Sequence, residues 1–202
     1  DLQDRLVGIN VQVHVGVVAQ HFGQLHHAGD GIGFGLLTQD DGLGTEAEDD
    51  VLALRMKMAH EKTIPSSIQR CYETGRIEAF KHNWKEGMPN RPHIYWDSDV
   101  AKVLEGIAYD IVLNPDEKLE SELDSIVELI VASQLPDGYL NSYFGYLEPE
   151  HRWKNINEWH ELYCAGHLIE AAVAHYEVTG KRNFLDAMCR YTDYIITVFG
   201  HG

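Results

Sequence analysis

The chain has 202 residues and a net charge of −16, with 32 acidic residues against 16 lysines and arginines. That balance excludes a phosphate-backbone binder, which needs a basic patch. It offers nothing to an anionic lipid surface, and solubility is what it supplies. No run of about 18 apolar residues is present to span a membrane.

Composition changes sharply along the chain. Residues 1–50 contain no Lys, Tyr, Trp, Pro, Cys, Met or Ser, yet hold nine of the 18 glycines and carry nine acids against one base. A short valine alternation in VGINVQVHVGVVAQ is strand-like. The glycines from Gly31 to Gly35 do not make a dinucleotide fingerprint, because no helix or distal acidic partner follows. His14, His21, His26 and His27 are scattered without a cysteine or an ordered scaffold and do not read as a ligand set. Residues 1–56 are therefore expected to be an irregular or weakly ordered acidic leader, with the folded domain over residues 57–202. The acidic N-terminus has no basic stretch leading into an apolar core, so no signal peptide is expected.

From about Met56 the pattern becomes that of helices. Pro65 fits the first turn of one and Gly75 its end. KHNWKEGMPNRPHIYWDSD is a loop with two tryptophans. Ser98 is expected to cap a helix in which Val100, Val103, Leu104, Ile107, Ala108 and Ile111 follow the 3.6-residue period, stopped by Asn114-Pro115. A second helix runs from about Asp116 to Gln134, with Leu119, Leu123, Ile126, Val127 and Ile130 facing inward. LPDGYLNSYFGYLEPEHRW is a long aromatic loop. Asn157 to Gly180, NEWHELYCAGHLIEAAVAHYEVTG, forms a third helix. Its polar stripe is expected to be His160, Tyr163, His167 and Glu170, opposite an apolar stripe of Leu162, Ala165, Ile169, Ala172, Val173 and Tyr176. The fourth, from about Arg182 to Val198, turns Phe184, Ala187, Met188, Tyr191, Ile195 and Val198 inward. Helical hairpins joined alternately by tight turns and long aromatic loops predict an all-α fold, part of an (α/α)6 toroid whose loops build the site at one end. The helix pairs are too few to close such a ring. Their uncovered apolar edges would recruit a partner, a second copy of the chain included.

Chemistry concentrates around HELYCAGH. It is not the zinc-protease HExxH, since Cys164 stands four residues after His160 where a histidine is needed. Cys164 in mid-helix is placed as a small core residue rather than a nucleophile or ligand. Cys71, Cys164 and Cys189 are odd in number and form neither a CxxC pair nor a metal spacing, the pattern of reduced thiols in a cytoplasmic-type protein. His160, at the helix start beside the aromatic loop, is expected to donate a hydrogen bond to a polar ligand, and His167, two turns deeper, to be structural. Asp137, Tyr139 and Tyr143 in one loop, with Tyr95, Trp96, Asp97 and Asp99 in another, combine aromatic faces and carboxylates in a way that suits sugars. Helix capping by Asp97 and a turn at Asp137-Gly138 are the competing structural readings. No acid and nucleophile pair for glycoside cleavage can be assigned from these residues.

TIPSSIQRCYETGRIEAF, DSDVAKVLEGIAYDIVLNPD, QLPDGYLNSYF and HELYCAGHLIEAAVAHYEVTGKRNFLDAMCRYTDYI, in this order and followed by VFG, resemble glycoside hydrolase family 127 from about Glu61 to Gly200. Residues 1–56 do not resemble that family's start. The resemblance implies a β-L-arabinofuranosidase built on an (α/α)6 barrel followed by β-sandwich domains. It also implies a zinc ion holding a cysteine nucleophile with a glutamate and two further cysteines, and a separate glutamate as general acid. None of these matches a residue of this chain, so no catalytic residue or metal ligand is expected in it, and the 202 residues are expected to be an inactive N-terminal fragment. His160 matches a position that hydrogen-bonds the arabinofuranose; His201 lies close to a second substrate-contacting histidine of the family. A non-catalytic helical-repeat module that binds a sugar or a protein is the alternative from another class. Another (α/α)6 sugar enzyme, of the unsaturated glucuronyl hydrolase or epimerase type, is the alternative within enzymes.

Overall fold

The structure, a computed structural model, describes residues 46–200. The chain divides between Ala59 and His60. Of the first part only helix α1, Glu46–Met58, is described. That helix occupies the last part of the segment read as an acidic leader; the valine alternation, the glycine cluster and the four early histidines lie outside the described residues, as does His201.

After a π-helical turn at Ala59–Thr63, α2 spans Ile64–Glu73 with Pro65 in its first turn, as a proline without an N–H to satisfy should be. Its last turn closes through the Thr74 hydroxyl on the Arg70 carbonyl at 2.6 Å. Gly75 then takes φ +78°, and a Cβ there would lie 2.7 Å from Asn90 Cβ. A 3₁₀ turn at Glu78–Lys81 buries Ala79 and Phe80.

Helix α3 spans Trp96–Leu113, beginning three residues earlier than a cap at Ser98 would allow. Ser98 lies inside the first turn, where its hydroxyl donates to the Tyr95 carbonyl at 2.8 Å. Val100, Leu104, Ile107, Ala108 and Ile111 are buried at the helical period. Helix α4, Glu117–Ala132, is capped by the Asp116 carboxylate, which accepts from the Lys118 and Leu119 amides at 2.9 and 3.1 Å. Its inner face is Leu123, Ile126, Val127 and Ile130. Helix α5 is Glu161–Thr179, ended by Gly180 at φ +71°, and α6 is Asn183–Phe199 with Phe184, Ala187, Met188 and Tyr191 buried. Among the described residues there is no strand, and no helix is long and apolar enough to cross a membrane.

Two hairpins, α3–α4 and α5–α6, pack with their leading helices together: α3 against α5 is the most extensive pairing, and α4 also meets α6. Leu104, Ile107, Leu123, Ile130, Leu168 and Phe184 are fully buried between them. Each such side chain contributes about 1.5–3 kcal/mol by leaving water. The phase of α5 differs from the expected one. Leu162 is exposed, and the buried face is Glu161, Cys164, Ala165, Leu168, Ala171, Ala172, Ala174 and His175.

The aromatic loop between α4 and α5 is held by side-chain bonds rather than by a ladder. Asn141 Oδ1 accepts from the amides of Tyr143 and Phe144 at 3.1 and 2.8 Å. Gln134 Nε2 donates to the carbonyls of Gly138 and, on α6, Ala187. The Asp97 carboxylate on α3 accepts from both the amide and the hydroxyl of Ser142. With backbone groups satisfied in this way, an irregular loop can lie over the helix ends without a desolvation penalty.

Candidate functional site

His160 occupies the residue before α5 in a left-handed conformation, φ +60° and ψ +16°. Histidine is among the few residue types that visit this region at modest cost. The turn beneath it is built by Asn155, whose side chain accepts from the Glu158 amide at 3.3 Å and donates to the Glu158 carboxylate at 2.9 Å. The Trp159 amide closes onto the Asn155 carbonyl, and α5 begins with the Cys164 amide on the His160 carbonyl. His160 Nδ1 lies 2.6 Å from the Glu158 carbonyl oxygen. A carbonyl only accepts, so Nδ1 carries a proton and the neutral ring turns Nε2 outward as an acceptor. This reverses, for the neutral ring, the donor role expected from the sequence.

Around His160 stands an exposed row of rings. Tyr95 meets it edge-on at 5.9 Å and Tyr163 at 5.8 Å. His93 packs on Tyr95 at 4.2 Å and His167 on Tyr163 at 4.6 Å. Lys102 on α3 donates to the Tyr163 hydroxyl at 2.8 Å. His167 is partly buried, with Nδ1 3.0 Å from the Glu170 carboxylate. The structure thus brings His160, Tyr163 and His167 along one side of α5, joined by His93 and Tyr95 from the loop before α3.

The other sequence candidates are placed elsewhere. Asp97 is buried and its carboxyl is held by Ser142; burial pushes it up to about 6 against the pull of those two bonds. It anchors the loop and does not cap α3. Tyr139 is fully buried, its ring edge-on to Trp153, Tyr191 and Tyr194, with the Arg152 guanidinium 4.2 Å over its face. Burial and the Glu161 carboxylate beside it hold its hydroxyl far above the usual phenol range. Asp137 is exposed and forms the expected turn, accepting from the Tyr139 amide at 3.0 Å and from Arg152 at 3.1 Å. Trp96 lies under the Arg76 guanidinium at 5.1 Å, and Arg76 Nε also bonds Asp99 at 2.9 Å.

Glu161, assigned nothing from the sequence, is a buried carboxylate that accepts from the Tyr139 hydroxyl at 2.5 Å and from the Trp153 amide at 2.7 Å. Burial raises its pKa, and those two donors oppose the rise. It shares the helix face of Cys164, Leu168, Ala171 and His175, and nothing in the sequence named the Tyr139 and Trp153 partners that admit a carboxylate there.

The zinc implied by the family resemblance finds no fitting donor set among the described residues. Burial pushes the thiols of Cys71, Cys164 and Cys189 up, away from the thiolate a metal requires, and Cys164 Sγ sits 3.6 Å from the Ile94 carbonyl oxygen. No three His, Cys, Asp or Glu side chains among the described residues gather in a metal-holding group.

Comparison with known proteins agrees with the fold. A curated non-reducing end β-L-arabinofuranosidase from Bifidobacterium longum subsp. longum is 38% identical over 111 residues, 53% of this chain and 17% of that protein. A solved GH127 β-L-arabinofuranosidase from Geobacillus stearothermophilus T6 is 43% identical with a TM-score of 0.68, covering 73% of this chain and 25% of the other. A second solved GH127 β-arabinofuranosidase is 36% identical with a TM-score of 0.65, covering 72% of this chain and 24% of that one. The chain therefore spans about a quarter or less of each of these relatives. The family model described as β-L-arabinofuranosidase, GH127 catalytic domain, matches residues 47–202. With that match over most of its length, the chain belongs to the GH127 β-L-arabinofuranosidase catalytic-domain family of glycoside hydrolases, whose all-helical (α/α)6 architecture its hairpins share.

Proposed function

We propose that the described residues form one wall of the sugar site of a hydrolase for terminal β-L-arabinofuranosyl linkages, and that His160 is the residue of this wall that contacts the sugar. The observation that carries this reading is the presentation of His160. Its backbone is in the left-handed region, Nδ1 is tied to the Glu158 carbonyl, and the ring is exposed between Tyr95 and Tyr163. An outward acceptor nitrogen suits a sugar hydroxyl, and tyrosine rings on either side suit the C–H faces of a furanose.

Cleavage itself is assigned to residues other than these. Glycoside hydrolysis needs a general acid on one side of the bond and a nucleophile or base on the other. The carboxylates adjoining His160 are otherwise engaged: Glu161 beneath Tyr139, and Glu158 with Asn155. The chain's short span of its relatives supports the same division.

Methyl β-L-arabinofuranoside should bind the 202-residue chain in saturation-transfer NMR, and His160→Ala should abolish that binding. The chrogenic substrate p-nitrophenyl β-L-arabinofuranoside should not be hydrolysed, with or without zinc. Unchanged binding by His160→Ala would remove His160 from the site, and zinc-dependent release of nitrophenol would overturn the assignment of cleavage elsewhere.

A further inference from the structure

Two left-handed residues that are not glycine, Trp153 and His160, bracket the segment leading into α5, both at φ +60°. For a side chain as bulky as tryptophan this backbone is an outlier that the surroundings must impose. One group reaches both ends of the segment. Glu161 follows His160 directly in the chain, and its carboxylate accepts the Trp153 amide at 2.7 Å. Its other oxygen accepts the Tyr139 hydroxyl at 2.5 Å, within a cluster of rings that is itself buried.

We infer that Glu161 is a positioning residue: its buried carboxylate clamps the two ends of the Trp153–His160 segment and so fixes the direction in which His160 presents Nε2. The inference rests on the proposed role of His160. A carboxylate is required at this position because it alone offers two acceptor oxygens and no donor to two fixed donors, one backbone and one phenolic. Released from the clamp, the segment loses what holds Trp153 left-handed, the Glu158 carbonyl moves relative to the His160 ring, and Nδ1 loses the partner that selects its tautomer. Arg152, stacked on the Tyr139 face and bonded to Asp137, supports the phenol side of the clamp.

The test is Glu161→Gln in the 202-residue chain, with the imidazole nitrogens read by two-bond ¹H–¹⁵N correlation. Wild type should show His160 as the Nδ1–H tautomer. In the variant the signal should move toward Nε2–H, and affinity for methyl β-L-arabinofuranoside should fall about tenfold, the loss expected for one misdirected hydrogen bond. Tyr139→Phe, which removes one of the two donors and keeps the ring, should shift the tautomer part of the way and serves if the glutamine variant does not fold. Ile126→Val, a core change on α4, should lower the melting temperature without moving the His160 signal. An unchanged His160 tautomer in both Glu161→Gln and Tyr139→Phe would overturn the inference, as would an equal shift in Ile126→Val. If wild type fails to bind the sugar, the reading of His160 falls, while the tautomer comparison still decides the role of Glu161.

Discussion

Asp97→Asn should flatten part of the pH dependence of folding. Asp97 is 1% exposed and its carboxyl is pushed up to about 6 from an ordinary 3.8. Between those values the folded chain holds a proton that the unfolded chain has released, so this group makes stability fall as pH rises. At 1.36 kcal/mol for each pH unit between the two values, the full effect is about 3 kcal/mol. About 2 kcal/mol of it falls between pH 4.5 and 7.5. The half-buried imidazole of His82 and the buried one of His175, both held below 6.5 by burial, act with the opposite sign. The raw wild-type curve therefore mixes these effects, and the difference between wild type and variant isolates Asp97. The amide can still accept the Ser142 amide hydrogen, and its NH₂ can donate to the Ser142 hydroxyl, so the loop keeps its anchor. Urea unfolding followed by circular dichroism should show the variant gaining on wild type by about 1 M in midpoint on going from pH 4.5 to 7.5, for a slope of about 2 kcal/mol/M. Parallel pH dependence of the two proteins would show that Asp97 keeps an ordinary carboxyl in the fold and refute the argument.

Gly138→Ala and Gly166→Ala should change thermal stability in opposite directions. At Gly138, φ is +91° and a Cβ would lie 2.7 Å from the Arg190 carbonyl oxygen, so alanine should cost at least about 2 kcal/mol; at Gly166, mid-α5, it meets nothing within 4 Å and should add about 0.5–1 kcal/mol. Calorimetry that ranks the two alike would contradict the local geometry. Leu168→Ala, fully buried where α5 meets the core, should lose about 2–5 kcal/mol in urea titration. His175 is buried, with Nδ1 lacking a partner among the described residues and Nε2 3.3 Å from Asp124. Its depressed pKa means that the unfolded chain takes up the proton first, so its contribution is complete above pH 6.5 and is lost on acidification. His175→Gln should narrow the gap between urea midpoints at pH 7.5 and 5.5, and an unaltered gap would assign the acid sensitivity elsewhere.

The helices α3 to α6 were legible because each carries a 3.6-residue apolar period bounded by punctuation: Asn114-Pro115 after α3, Asp116 capping α4, Gly180 after α5. The phase of α5 was not. Its buried face includes Glu161 and His175, polar residues admitted to the interior by Tyr139 and Asp124 from other parts of the chain. A period calculated along one helix cannot register partners that arrive from a loop or a neighbouring helix, so Leu162 read as buried and Glu161 as unremarkable. The site candidates divide in the same way. The position of His160 at the junction of aromatic loop and helix was legible, whereas Asp97 and Tyr139 share the composition of a sugar site but spend their polar atoms on Ser142 and Glu161. The helix Glu46–Met58 has almost no amphipathic contrast, so nothing in its pattern separated it from the glycine-rich stretch before it.

The pairing of α3 with α5 sets an order of events on the ribosome. Helix α3 can fold back on α4 as soon as the short turn at Asn114–Asp116 has been made, because closing so small a loop costs little entropy. Its principal partner is synthesised only after the whole of α4 and the long aromatic loop have emerged. During that interval the hairpin lacks the partner that covers the rest of α3, and the Asp97 carboxylate waits, solvated, for Ser142. Slowing translation across the aromatic loop would lengthen that exposed stage, making the yield of folded chain sensitive to codon choice there rather than within the helices.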